Sequence, residues 1–436
     1  PTDVRWHLLS TQLTGGVINV DGNLEVRLSG KENDRIRFNG FGAKVYGYAF
    51  GNVGYFFNMV TYREKGEGIN RTKIHTPDPG IIVARSYGNV LEYNTTEAQF
   101  TIRLGEFDLS LEKMQNVWGS GERGNLIFSH KAPSAPQLKM RVPLTPWLDF
   151  IYLHADLNSR VIDSVRSYHA GSSGIIDFFR PVDRLKYLAA HQLEFTIVDG
   201  LDLAIGESIV YSDRGPQLIY LIPIMFFKSG EHYNRDTDNV QFFGSLDVNL
   251  VKGLNFSLTL FIDEINTDEL FNPDKHRNQL GYTAGLRTYD LPLENLELLV
   301  EYSRLNPWMY SHKYPAATFT NNGYDLGHWI GQNADNVYVE AKYWITGFAQ
   351  VGGWWESYRK GGLEDVAFQY RTPSLPFLYG PVRKDRSIGG FAQWQFARDA
   401  FLDVRAGSRT VTDEALPQAG KSDIFEFTVA LRYGIW

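Results

Sequence analysis

Two sets of residues in this chain could do chemistry: a glycine-rich stretch beside an arginine, and aromatic rings scattered among Asn, Asp, Arg and His. The first, GSGERG (119–124), has G-x-G-x-x-G spacing. That spacing binds dinucleotides when a strand precedes it and a helix follows. Here NLIFSHKAPSAPQ follows, broken by two prolines, so the stretch reads as a tight glycine turn. No G-x-S-x-G elbow occurs, and no Ser–His spacing singles out a nucleophile and its base. His191 and Glu194 invite a metal reading, but residues three apart on a strand face opposite sides. Asp263-Glu264 fails for the same reason. NRDTDN (234–239) lacks the glycine and glutamate of an EF-hand loop and reads as a solvated loop. With no cysteine, thiolate metal sites, disulfides and cysteine nucleophiles are excluded. The expectation is therefore no catalytic residue, no metal and no cofactor. Binding or transport remains. Aromatic faces stack on sugar rings while Asn, Asp and Arg take hydroxyls in concave sites, which makes Trp118, Trp308, Tyr310 and Trp329 candidates. Packing inside a loop, or at a membrane interface, is the other reading of each.

The elements that would position these residues are strands. In HQLEFTIVDGLDLAIGESIVY (191–211), Leu193, Phe195 and Ile197 face one way and Gln192, Glu194 and Thr196 the other. After Asp199-Gly200 the apolar set resumes at Leu201, Leu203 and Ile205. Similar hairpins turn at Lys252-Gly253, Pro292, Thr346-Gly347 and Arg398-Asp399, and two more lie at 42–62 and 96–114. In 254–263, Leu254, Phe256, Leu258, Leu260 and Ile262 share a face opposite Asn255, Ser257, Thr259 and Asp263. The last strand alternates through Phe425, Phe427, Val429, Leu431, Tyr433 and Ile435. Strands of about ten residues, tight turns and longer intervening segments are the pattern of a transmembrane barrel. At about 24 residues per strand and connection, the chain makes about 18 strands, within a range of 16–20. A propeller should repeat every 40–50 residues or so, and no such repeat is present.

The fold expected is all-β: one antiparallel outer-membrane barrel spanning 1–436, with no separate soluble domain. Its long connections, 64–80, 157–183, 212–239 and 304–335, are expected to fold into or over the lumen. Because a basic side chain on the lipid face costs roughly 2–4 kcal/mol at mid-bilayer, the polar set must face inward. The expected lumen charges are Glu194, Arg287, Glu297, Glu301, Glu340, Lys342, Asp403, Arg405, Glu426 and Arg432, six acidic and four basic. Tyr62, Trp344, Trp354 and Trp355 are expected in interfacial girdles.

Composition agrees. The chain has 436 residues, 14% aromatic, with net charge −7. That length exceeds one ordinary soluble core, and the negative charge disfavours nucleic acid. No apolar run reaches the roughly 18 residues of a membrane helix; the longest, LIYLIPIMFF (218–227), is about half that and contains Pro223. The first residues show no secretory signal, which is expected to have been removed.

Four blocks carry a family resemblance. VWGSGERGNLIFSHKAPSAPQLKM (117–140) resembles the W-G-x-G-x-x-G-x-L block of the capsule assembly Wzi family, with its serines and prolines. AHQLEFTIVDGLDLAIGESIVYSDRGPQLIYLIPIMFF (190–227) is similar to that family's H-x-L-E hairpin and following segment. DNVQFFGSLDV (238–248) and GYDLGHWIGQNADNVYVEAKYW (323–344) continue the likeness in order. The resemblance implies a non-enzymatic barrel in the outer membrane that binds surface or capsular polysaccharide, with its lumen occluded by loops. The matching motif positions include Gly119, Gly121, Gly124, His191, Gly327 and Gly331. Candidate polysaccharide contacts are Trp118, Arg123, Asn125, His130, Glu207, Tyr220, Trp308, Tyr310, His328, Trp329 and Asp335. Membrane lipid is the other expected partner. Two alternatives stay open: a channel for polysaccharide or small solutes, and an accessory barrel in a larger envelope complex.

Overall fold

A computed structural model describes residues 7–32, 34–170, 178–265, 278–416 and 421–434. Eighteen strands, from Gly16–Lys31 to Lys421–Tyr433, pair antiparallel with their neighbours. The wall closes where Leu24 to Lys31 pair with Tyr433 to Glu426. Closure removes the sheet edges that could not survive in lipid. A short strand, Leu9–Leu13, extends the wall by pairing with Val20 to Gly16. Ile435 lies outside the described residues.

Period-two alternation sets the faces. Phe256, Leu258 and Leu260 are 37–42% exposed, whereas Ser257 and Thr259 between them are buried. The apolar set faces outward toward lipid and the polar set inward. Tight turns gather at one end, at Asp199-Gly200, Lys252-Gly253, 347–348 and Arg398-Asp399. Gly200 and Gly253 sit there at φ +84° and +79°, conformations that side-chain-bearing residues reach only with strain. Long connections gather at the opposite, extracellular end, as outer-membrane barrels arrange them.

Three details correct the sequence reading. GSGERG is not a tight turn: it lies within a long loop, 115–134, that enters the lumen. The 361–382 connection is also long and had no distinguishing composition. Trp354 and Tyr62 face inward. Arg405 lies 3.4 Å over the Trp354 ring, and Tyr62 packs on Phe38 and Tyr93, each at 5.2 Å. Trp355 does face outward, 39% exposed, whereas Trp344 is in phase with Glu340 and Lys342 and so also turns inward. Alternation had placed Trp354 and Trp355 in opposite phases, and only one can meet lipid.

Two apolar clusters lie on opposite faces of the same wall. The larger fills the lumen, joining Leu153, Leu188, Ala190, Val210, Phe243 and Phe261 of the strands to Trp118, Leu126, Phe128, Tyr310, Phe319 and Trp329 of the loops. The smaller is outside, joining Phe150, Tyr152, Ala189, Ile209 and Tyr211 to Tyr220 and Phe227 of the 213–238 connection.

Candidate functional site

Three loops form the lumen plug: 66–82, 115–134 and 306–333. They are stitched together by backbone. Trp118 and Phe128 exchange N–H···O bonds, Ser129 N–H donates to Leu326 O at 2.9 Å, and Gly80 N–H to Lys131 O at 2.7 Å. Tyr310 Oη donates to Leu126 O at 2.6 Å and accepts from His328 N–H at 3.1 Å. Tyr324 Oη donates to Thr72 O at 2.7 Å.

The glycine-rich stretch does hold an anion, but the anion belongs to the wall. Backbone N–H groups of Glu122 and Arg123 donate to the Glu301 carboxylate at 2.6 and 3.0 Å, a nest of successive amides closed on a carboxylate. Gly121 N–H donates to Asn125 Oδ1 at 2.7 Å. Arg123 makes a bidentate pair with Glu356, 2.7 Å at both oxygens, the strongest geometry for such a pair. Its guanidinium sits 4.9 Å from the Tyr338 ring, and Trp329 Nε1 donates to Arg123 O at 3.0 Å. The two glycine blocks interlock here. A Cβ on Gly124 would come within 2.7 Å of His328 Nε2, and one on Gly327 within 2.2 Å of Tyr310 Oη. Burial first, and then the Arg123 charge, push the His328 imidazole down to about 3, so it is neutral. Its buried Nε2 has no hydrogen-bond partner.

The sequence-derived lumen charges line the inner face around this plug. Arg287 pairs with Glu122 and, at 3.2 Å, with Glu297. Lys342 reaches Glu297 at 3.3 Å and Glu340 at 3.6 Å. Asp403 takes Arg432 at 2.7 Å, Glu426 takes Arg409 at 2.8 Å, and Glu194 accepts from Gln192 at 2.6 Å.

The candidate contacts divide. Trp118, Arg123, Asn125, Tyr310, His328 and Trp329 come together in the plug. Trp308 is buried beside them, stacked 5.5 Å from Tyr379 of the 361–382 connection. His130 is exposed at the loop surface. Glu207, Tyr220 and Asp335 do not join the plug, because they lie on the outer face of the wall. Glu207 follows Ile205 in phase and is covered by Phe227. Asp335 pairs with Arg359 and accepts from Tyr302 at 3.3 Å.

Two cavities flank the plug along the barrel axis. Toward the tight-turn end, 340 Å³ is bounded by Trp118, Trp147, Asp149, Glu194, Asp202 and Asp247. Toward the extracellular end, 240 Å³ is bounded by His75, Lys131, Tyr310, Tyr324, Asp325, Trp329 and Lys360. In the upper one Lys131 Nζ donates to Thr76 O and Asp78 O at 2.9 and 2.8 Å, and Lys360 Nζ to Ile330 O and Gln332 O at 2.9 and 2.8 Å. A Cβ on Gly331 would lie 3.0 Å from Asp325 Oδ2 and 3.3 Å from both His75 Cε1 and Lys360 Nζ. Glycine therefore keeps the cavity open, and its φ of +64° suits glycine. Burial raises the Asp325 carboxyl to about 6 against the pull of Lys360, Lys131 and Lys186. Burial lowers Lys131 to about 8, and burial with the Lys360 charge lowers His75 to about 3. The sequence reading passed over His75, Lys131, Tyr324, Asp325, Glu356 and Lys360. Lys131 and Asp325 sit inside the resembling blocks, and Glu356 is in phase on a recognised hairpin. His75 and Lys360 carried no local signal.

Among the described residues, one set of metal-competent side chains lies close together: Glu231, His232 and Asp236. Two of the three are exposed, and Lys228 already pairs with Glu231. Asp238 of the NRDTDN stretch turns instead to Arg214 and Tyr220.

Comparison with known proteins agrees with this architecture. No curated protein sequence matches. Wzi of Escherichia coli, described as an outer membrane protein involved in group 1 capsule assembly and a carbohydrate-binding β-barrel, superposes with TM-score 0.59 at 11% identity, over 95% of this chain and 85% of that one. Pseudomonas aeruginosa OccD3 (OpdP) gives TM-score 0.53 at 12% identity over 97% and 92%. OccK8 (OprE) of the same organism gives 0.53 at 9% over 95% and 97%. At such identities the superpositions speak for the barrel fold. The family model for the capsule assembly protein Wzi matches residues 23–353, most of the wall and the whole plug, and the chain therefore belongs to the capsule assembly protein Wzi family of outer-membrane β-barrels.

Proposed function

We propose that this barrel is a non-catalytic, lectin-like protein that holds surface or capsular polysaccharide at its extracellular mouth and does not conduct. One observation carries the reading: the glycine-rich loop, free to cradle a ligand by its sequence, is spent on locking the plug through Glu301 and Glu356. A loop so anchored seals the lumen and leaves the external cavity as the recess where Trp329, Tyr310 and Tyr324 meet charged groups. That mix of aromatic faces and fixed polar atoms suits a sugar. Its volume of 240 Å³ is slightly below the usual range of about 300–1,000 Å³ for small ligands, which fits one ring of a chain lying across the mouth. The carbohydrate binding described for the Escherichia coli relative supports the same reading.

The acidic lower cavity, with Asp149, Glu194, Asp202 and Asp247, favours a second reading, passage of a solute after plug displacement. Planar-bilayer conductance with and without capsular polysaccharide separates the two. Silence plus glycan binding that Trp329→Ala abolishes is the expected result. Steady open-channel current from the unmodified protein would sink the lectin reading.

A further inference from the structure

The 213–238 connection turns the wrong way for a polysaccharide-facing loop. It folds over the outside of the wall, where its helices α1 (Leu218–Leu221) and α2 (Phe227–Tyr233) cover Phe150, Tyr152, Ile209 and Val240. Hydrogen bonds to the wall pin it: Tyr152 Oη donates to Tyr220 O at 2.7 Å, Phe227 N–H donates to Glu207 Oε1 at 2.7 Å, and Gln217 N–H donates to Tyr211 Oη at 3.2 Å. The second bond fixes its depth. Glu207 lies six residues from Leu201 at the tight-turn end of its strand. At about 3.3 Å per residue and a tilt of about 40°, that is roughly 15 Å up an apolar band about 25 Å tall. Ile205, two residues below, is 46% exposed as part of the lipid-facing wall.

The outer surface of this cover is apolar as well. Leu218 and Ile224 are 81% exposed, Phe226 56% and Ile222 49%. Residues 217–227 contain no charge and are bracketed by Arg214 and Lys228. A contiguous exposed apolar patch marks a membrane or protein contact, and this one continues the lipid-facing wall at outer-leaflet depth. Basic residues at both ends match segments that lie in a membrane interface with their charges at head-group level.

We propose that the 213–238 cover is embedded in the outer leaflet, its occupant the acyl chains of membrane lipid, and that it shields the outward-facing His191–Glu207 pair from that lipid. The pair, 3.2 Å apart, would otherwise stand bare on the lipid face, where charge is costly. This inference is independent of what the mouth binds. The chain has no cysteine, so Ile224→Cys and Leu218→Cys each accept a single nitroxide label at exposed positions that carry no packing. In proteoliposomes, the ratio of collisions with oxygen to collisions with an aqueous nickel chelate is compared with Ile205→Cys on the bare wall and Tyr87→Cys on an external strand. The expected result is a ratio at both cover sites shifted to that of Ile205. A ratio matching Tyr87 would overturn the proposal in favour of an aqueous loop. Dipolar broadening relieved by dilution with unlabelled protein would overturn it in favour of a second copy covering the patch.

Discussion

The hairpin 183–212 carries both faces of the barrel wall, and each face has its own lid. Inside, Leu188, Ala190 and Val210 meet a plug of three loops locked by charged pairs. Outside, Tyr187, Ala189, Ile209 and Tyr211 meet one loop held by hydrogen bonds and apolar contact. Both lids are aromatic and both bury polar groups. They differ in what their free surfaces offer: a polar recess inside, an apolar patch outside. The same alternating strand serves both, so the identity of each lid comes from the direction its loop takes.

Breaking the plug should have the largest effect. Arg123→Ala leaves Glu356 buried and unpaired, a change that costs about 3–5 kcal/mol. The expected outcome is bilayer current where the unaltered barrel is expected to carry none, with spin-label accessibility of the cover unaltered. The cover comes next. Glu207→Leu removes the acceptor of the Phe227 N–H, and a buried unsatisfied donor costs about 1–3 kcal/mol. Limited proteolysis should then cut within 213–238 while conductance stays silent. A smaller change tests the recess alone. Gly331→Ala puts a methyl against Asp325, His75 and Lys360 in a left-handed conformation costing roughly 1–2 kcal/mol. Glycan affinity should fall several-fold, because the methyl fills part of the recess, without opening the barrel.

Acidification should be gentlest. His75 and His328 stay neutral in the folded plug, lowered to about 3, while the unfolded segment takes up protons near its ordinary value of 6.5. A depressed folded value means stability present above 6.5 and lost as pH falls toward 3. Asp325, raised to about 6, works in the opposite sense, adding stability as pH falls through 6. Between pH 7 and 6 each histidine costs less than about 1 kcal/mol, and the carboxyl offsets part of that. Hydrogen-exchange protection in 306–333, taken relative to the intrinsic amide rate at each pH, should fall on acidification, and that in 213–238 should not.

Much of the wall was legible in the sequence. Alternation in 191–211, 254–263 and 425–433 identified the lipid face, and the hairpin turns placed the tight end. Part of the plug was legible as blocks in sequence order, because glycines at 119, 121, 124 and 327 mark close approach of backbone. Their partners were not. Glu356 and Glu301 sit on strands 178 and more residues from Arg123, and nothing local connects them. Tyr62, Trp344 and Trp354 were misassigned because an aromatic ring near a hairpin fits a girdle and a lumen ladder equally well.

The sequence by itself determined which side chains share a face, since strand geometry has a fixed period of two, and hence a barrel of this size. It also determined that the polar set must be sheltered. Only the tertiary structure decided which loops turn inward and which fold back over the outer wall, because a loop's destination depends on distant surfaces it can bury against. That decision separated Glu207, Tyr220 and Asp335 from Trp118, Arg123 and Trp329, and it gave the longest apolar run of the chain a place against the wall instead of across the membrane.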